Sequence, residues 1–500
     1  MKKTMLTLAL CALMSGTSVF AASPRDNFFW LGQINKASAV INTDEGLLTP
    51  AEGKHIAEGI DKVLRDGNQP GADRPRNVIL FEPYLIRAAG PEVTKIHAGR
   101  SSQDMLSTVG IMEQREHIMK LAEALNDVER TLIRLAEENK DTMIPNYTNG
   151  VAAQPNSLAH YLLAYANAFN RDSQRLQEYY VRLNRSPMGA MVLNGTGWPL
   201  DRDRMASYLG FDDIAYNTYD AGQIFTQEAP IETGGITNVI AIHTTSFIEE
   251  IMQQYAQPDP WILLKEGGGN TYVSSAMPQK RNPGILNKCR TDASTLLGLS
   301  VEAAFRSHNI PAGMADGRLN GKNDIIPHAT SVMKQLDQIL NNLVIKPERS
   351  LEELNRDWTS SQEIADQLMK NYGIPFRVGH HFASDIVTYA RNNHIAPSDF
   401  SYEKAKEIYG ESVKEVVRED PSIPSTLPMS EEEWKNVKDP VAIVHSRAVK
   451  GGPQPAELDK MIEMAKQDLA NNENWVAGRK SQLKKAEKKL NSDFDRLLAK

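Results

Sequence analysis

The chain has 500 residues, 41% hydrophobic, 24% charged and 7% aromatic, with 32 Gly and 26 Pro. That composition excludes collagen-like repeats, wholesale disorder and a disulfide-stapled miniprotein. A net charge of −7 argues against nucleic acid as the main partner, because phosphate binding needs clustered positive charge.

The first residues read as a leader. Lys2 and Lys3 precede an apolar run from Met5 to Met14, Ser15-Gly16 breaks it, and Val19-Phe20-Ala21 puts small residues three and one before a cut. This layout predicts a secretory signal peptide over 1–21 and a periplasmic mature protein. The run is too short to cross a membrane, and no other run reaches the ~18 apolar residues of a span. Cys11 falls in the leader, so Cys289 alone remains and no disulfide can form within the mature chain.

The length suggests about three further units. These are an N-terminal helical domain over 22–105, a central domain of long helices over 106–362, and a C-terminal helical domain over 363–500. In the first unit, Asn68 to Arg76 is a turn-rich loop. In the second, Ile111, Ile118, Leu121, Leu125, Val128, Leu132 and Leu135 form a seam, in three- and four-residue steps from 118 onward, with charged residues between them. Such a seam belongs to a long helix packed against other long helices. Ala329, Val332, Leu336, Ile339 and Leu343 repeat the pattern, and Pro347 ends it. Period-two alternation is scarce, so the chain reads as all-α with a central bundle. In the third unit, the prolines between Asp420 and Pro428 link short helices. The basic tail 479–500, with Leu483, Leu490, Phe494 and Leu497 on one face, suits a solvated terminal helix better than a membrane-binding one.

Against this helical background, Gly267-Gly268-Gly269 opens a loop that runs through Ser274 and Lys280 to Pro283. It offers a hydroxyl, a cation and an amide on a flexible segment, the parts of a proton-transfer site under a lid. From the residues alone, a plain solvent loop is the favoured explanation. His380-His381 lacks a carboxylate partner at metal-ligand spacing and reads as structural. Cys289 reads as a packed thiol.

Ser274-Ser275-Ala276-Met277-Pro278-Gln279-Lys280-Arg281-Asn282-Pro283 resembles the signature loop of the fumarase/aspartase superfamily. His97-Ala98-Gly99-Arg100-Ser101-Ser102-Gln103-Asp104 is similar to the first signature of argininosuccinate lyases, and Pro145 to Pro155 resembles their second. Pro187-Met188-Gly189-Ala190, Gly373-Ile374-Pro375-Phe376-Arg377 and Gly451-Gly452-Pro453 follow in the family's order.

The resemblance implies an all-helical, three-domain homotetramer whose active sites are each assembled from three signatures on three subunits. It implies a carbon–nitrogen lyase that uses no metal or organic cofactor. Such an enzyme eliminates an amine from a small amino-acid-derived dicarboxylate, an N-substituted aspartate, and releases fumarate. Ser274 matches the base. Lys280 and Asn282 match the groups that stabilise the doubly charged carboxylate of the intermediate. Ser101, Gln103, Thr148 and Gln154 match carboxylate-binding positions, with Asn149 beside them. For Ser101 and Thr148 taken alone, helix capping is the simpler reading.

Departures from the family pattern bear on chemistry. Asn149 and Asn287 stand where these lyases carry a His and a Glu, and an amide does not titrate in the useful range. Ser102 replaces an Arg, Val273 replaces a loop Gly, and Ile325-Ile326-Pro327 replaces polar residues expected at the guanidinium end. Argininosuccinate is therefore not the expected substrate. The competing reading is a catalytically silent periplasmic protein that binds dicarboxylates or amino-acid derivatives on the same fold.

Overall fold

A computed structural model of the chain describes residues 24–314 and 324–499. The expected leader over 1–21 and the segment Asn320 to Asn323 lie outside them. The described chain opens with α1 (Asn27–Asp44), α2 (Pro50–Gly67) and α3 (Val78–Ala89), and the turn-rich stretch 68–76 separates the last two. Local chemistry sets the start of α2. The Thr49 hydroxyl caps the Glu52 N–H, the Glu52 carboxylate reaches back to the Thr49 N–H, and Pro50 takes the first helical position.

The central region follows as α4 (Ser102–Glu138), β1 (Met143–Thr148), β2 (Val151–Ser157), α5 (Leu158–Leu183), β3 (Arg185–Ser186), α6 (Arg202–Tyr208), β4 (Asp213–Ile214), α7 (Thr218–Gln223) and α8 (Phe225–Gln254). Then come β5 (Ile262–Leu264), β6 (Tyr272–Val273), β7 (Arg281–Asn282), α9 (Gly284–Ser307), α10 (Ile325–Asn341) and β8 (Leu343–Ile345). Helices α4, α5, α8, α9 and α10 form the bundle. The seam residues of α4 from Ile111 to Leu132 are at most 3% exposed. Each such side chain stabilises the fold by roughly 1.5–3 kcal/mol through burial. Strands among the described residues occur only as two-stranded pairs.

Helix α10 ends earlier than the apolar pattern suggests. Asn342 closes it, and Leu343 to Ile345 leaves the helix to pair antiparallel with β5. Pro347 therefore begins the next helix rather than ending this one, as its fixed φ permits.

The remaining helices are α11 (Pro347–Arg356), α12 (Ser361–Tyr372), α13 (Phe376–Asn393), α14 (Tyr402–Ser412), α15 (Lys414–Glu419), α16 (Glu431–Asn436), α17 (Pro440–His445) and α18 (Pro455–Ala499). Residues 358–437 have a separate core around Phe382, Phe400, Tyr409 and Trp434. Helix α18 leaves that unit. Its Leu458, Ile462, Leu469, Val476, Leu490 and Phe494 join the core shared by α1, α2, α4 and α5. A terminal domain over 363–500 thus divides physically near 455, because 45 residues of helix reach about 67 Å at 1.5 Å per residue. The basic tail lies along the molecule with Leu490, Phe494 and Leu497 of its apolar face buried and Leu483 half-buried.

Candidate active site

The first segment is built around the start of α4. Ser101 has extended backbone, and its Oγ accepts from the Asp104 N–H while the Asp104 carboxylate accepts from the Ser101 N–H, a reciprocal cap. Asp104 is fully buried, and its second oxygen accepts from the N–H groups of Gly189 (3.0 Å) and Met191 (3.1 Å). Burial pushes its carboxyl up to about 6, against the pull of those backbone donors. Gln103 Nε2 donates to the Gly222 carbonyl at 3.2 Å. The conformation of Gly99 is required twice over: its φ is +67°, and a Cβ there would stand 2.6 Å from Leu200.

The second segment is a β-hairpin, which the scarcity of alternation did not suggest. β1 and β2 pair from Met143↔Ser157 to Thr148↔Val151. Asn149 and Gly150 make the turn with φ of 53° and 77°, the two positive values of a type I′ turn. The Asn-Gly pair was the readable signal. Thr148, Asn149 and Gln154 are exposed at the tip, and Gln154 Nε2 donates to Gln362 Oε1 at 2.7 Å.

The third segment is also a hairpin, narrow and anchored at its base. Asn270, 3% exposed, donates to the Lys265 carbonyl, accepts from Gln338 Nε2, and receives the Ile285 N–H on its own carbonyl. Tyr272 pairs with Asn282, and Val273 pairs with Arg281. Arg281 Nε bonds to Glu266 (2.8 Å) and its Nη1 to the Pro278 carbonyl (2.7 Å). Asn282 Nδ2 donates to the Tyr272 carbonyl at 3.4 Å.

At the tip, the Ser274 N–H donates to the Lys280 carbonyl, and the Ser274 Oγ accepts from the N–H groups of Met277 (3.2 Å) and Ala276 (3.4 Å). Two backbone dipoles aimed at one oxygen favour its ionised form, as in an anion nest. Lys280 is exposed and makes no ion pair among the described residues.

One chain does not bring these segments together. Helix α4 has 37 residues and spans about 55 Å at 1.5 Å per residue. Ser101 and Gln103 sit at its start. The β1–β2 hairpin follows its end, tied there by Ser157 Oγ on the Lys140 carbonyl. The Ser274 hairpin hangs from Gln338 of α10, one residue from Asp337, which meets Thr131 in the last turns of α4. Two segments therefore share one end of the bundle and the third occupies the other. No hydrogen bond or ion pair joins any two of them among the described residues.

Comparison with known proteins identifies the family. A family model described as "Lyase" matches residues 84–298, and one described as "Argininosuccinate lyase C-terminal" matches residues 358–444. The argininosuccinate lyase of Methanospirillum hungatei is 31% identical over 420 residues, covering 81% of this chain and 79% of its own. That of Ruminiclostridium cellulolyticum is 28% identical, covering 86% and 89%. The chain belongs to the argininosuccinate lyase family. Within the solved structures, EDDS lyase in complex with formate superposes with a TM-score of 0.86 at 25% identity, covering 95% of this chain and 92% of its own. The protein is thus an all-helical carbon–nitrogen lyase of the argininosuccinate lyase type, within the fumarase/aspartase superfamily.

Against the family pattern, Asn149 stands at the exposed hairpin tip and Asn287 is half-buried in the first turns of α9, without a bond between them. Ile325 and Ile326 open α10 with 4% and 1% exposure. Both pack in the chain's own hydrophobic core. Cys289 is fully buried with Sγ 3.7 Å from the Val332 carbonyl, and burial pushes its thiol up to about 12. His380 and His381 are exposed with rings 6.3 Å apart at 83°. No group of metal-ligating side chains occurs among the described residues.

Three supporting residues were missed at the sequence level. The Ser101-x-x-Asp104 spacing announced the capping box, although nothing announced the second oxygen's grip on 189–191. Asn270 and Tyr147 gave no signal, because Gln338, the side-chain partner of the first, and Gln254, one partner of the second, lie 68 and more than 100 positions away.

Proposed function

We propose that the protein is an exported lyase that eliminates an amine from N-substituted aspartates to release fumarate. The reading rests above all on Ser274, whose Oγ receives two backbone N–H groups on a hairpin that also carries Lys280. Ser274, as alkoxide, takes the proton from the carbon beside a carboxylate. The electron pair that C–H bond leaves behind forms the double bond as the carbon–nitrogen bond breaks. Lys280 and Asn282 stabilise the extra charge on that carboxylate, and closure of the hairpin excludes water and strengthens both effects. Gln103, Thr148 and Gln154 hold the carboxylates, and Ser101 combines that role with its cap.

Neither Asn149 nor Asn287 supplies a proton to the leaving group. A nitrogen that already carries one, as a secondary ammonium does, departs as a neutral amine without help. The guanidinium of argininosuccinate is protonated too but would leave as a more basic guanidine, so without a general acid N-succinyl alkylamines are the favoured substrates.

Because α4 separates Gln103 from Ser274, each site needs several subunits, and a homotetramer meets that need. Ile231 and Ile242 of α8, with Val301 and Phe305 of α9, are 45–76% exposed in the single chain. An apolar surface of that kind on bundle helices supports burial against neighbours. The leader over 1–21 supports a periplasmic location.

Incubating the purified protein with a panel of N-succinyl amines should produce the ultraviolet absorbance of fumarate. Ser274→Ala should lower the rate at least about 100-fold, and undiminished turnover in that variant would refute the assignment. The amides at 149 and 287 favour one second reading, a binding protein without turnover. It requires dicarboxylates to raise the melting temperature while no fumarate forms.

A further inference from the structure

Tyr147 lies at the register shift of the β1–β2 hairpin, next to Thr148. Alternation along the strand sends the two side chains to opposite sides. Thr148 faces outward, and neither it nor Asn149 has a side-chain hydrogen bond among the described residues. Tyr147 turns inward, and its hydroxyl is fully used. It donates to the Glu353 carboxylate of α11 and accepts from Gln254 Nε2 (3.0 Å) and Trp261 Nε1 (3.3 Å). Glu353 lies 3.7 Å from the Arg349 guanidinium, which also donates to the Asp259 carbonyl (3.0 Å). One turn of α11 earlier than Glu353, Ser350 Oγ donates to the Met143 carbonyl at 2.6 Å. Helix α11 therefore grips β1 at two heights, and the upper grip is one phenol hydroxyl adjacent to the tip.

We propose that Tyr147 is a positioning residue, whose bonds to Glu353, Gln254 and Trp261 fix where the hairpin tip presents Thr148 and Gln154 to a substrate carboxylate. The inference rests on the proposed carboxylate-binding role of those two residues. Burial and Glu353 push the phenol up to about 12, so it holds its proton at neutral pH and acts by placement rather than by proton transfer. Removing a half-buried hydroxyl takes one bond from each of its three partners, which makes the tip's position sensitive to a single atom.

Calorimetric titration of the full-length assembled protein with fumarate, well below its melting temperature, tests this. Tyr147→Phe should weaken fumarate binding about tenfold and raise KM in step, with kcat held within about threefold. Glu353→Gln still accepts the phenol proton and should stay near the parent, whereas Glu353→Leu should match Tyr147→Phe. Trp261→Phe removes one donor and should move the same constants about two- to threefold, which keeps the question open to test if Tyr147→Phe fails to assemble. An unchanged Kd in folded Tyr147→Phe overturns the proposal whatever its melting temperature, and so does equal loss in both Glu353 variants. A parent that binds fumarate but turns over no N-succinyl amine sinks the lyase reading and leaves this one standing. A parent that does not bind fumarate sinks both.

Discussion

At Asp104 one carboxylate serves two parts of the fold. One oxygen completes the α4 cap with Ser101, and the other gathers the N–H groups of Gly189 and Met191, which would otherwise be poorly satisfied near the protein interior. Asp104→Ala removes the carboxylate half of the cap and orphans the Gly189 and Met191 N–H groups together. The expected cost is about 2–4 kcal/mol, read as an earlier midpoint in urea with an unchanged slope. A loss below about 0.5 kcal/mol would mean that the 187–191 loop is held by other contacts, such as Arg202 on the Met188 carbonyl. Residue by residue, sequence legibility followed distance. Ser101 with Asp104 and Asn149 with Gly150 each carry a local backbone signal within four positions. The grips of Asp104 on residue 189, Asn270 on residue 338 and Tyr147 on residue 353 join positions that only the packed bundle brings together.

Between elements, the junction of α4, α5 and α18 holds a carboxylate without a counter-charge. Glu129, 1% exposed, accepts only from Ser173 Oγ (2.8 Å) and Asn472 Nδ2 (3.2 Å). The charged groups around it are unfavourable or already engaged: Asp468 on α18 and Asp172 on α5 are both acidic, and Asp172 is taken up by His243 of α8 and by Arg175. Burial raises Glu129 to about 7 from an ordinary 4.5. The folded protein therefore keeps a proton there that the unfolded chain has lost, and stability falls as pH climbs from about 4.5 to 7, by up to about 3 kcal/mol, and is flat above. Glu129→Gln should melt higher than the parent at pH 8 and nearly level with it at pH 4.5. A gap of constant size across that range would show that the carboxylate is not the titrating group. The long seams on α4 and α10 were legible because every third or fourth residue is apolar. The docking of α18 against α4 was not, since its register depends on polar partners such as Asn472 that carry no periodicity.

For the molecule as a whole, the consequence of a 37-residue α4 is that Gln103 and Ser274 occupy opposite ends of one protomer. On the proposed assembly each active site then takes its Gln103 from one subunit and its Ser274 from another. Gln103→Ala and Ser274→Ala should each give an inactive tetramer. Coexpressed with different tags and purified through both, they should give mixed tetramers in which about a quarter of the sites draw an intact copy of both residues. Fumarate production should return to roughly that fraction of the parent rate. If both residues served a site within one protomer, every site would carry one defect and the mixed assembly would stay silent. Phe305→Glu separates assembly from folding in the same experiment. The residue is 76% exposed in the single chain, so a charge there should leave helicity intact while splitting the tetramer, and activity should vanish with it. A dissociated variant that still released fumarate would show that one chain closes its own site, which a rigid helix of about 55 Å does not permit.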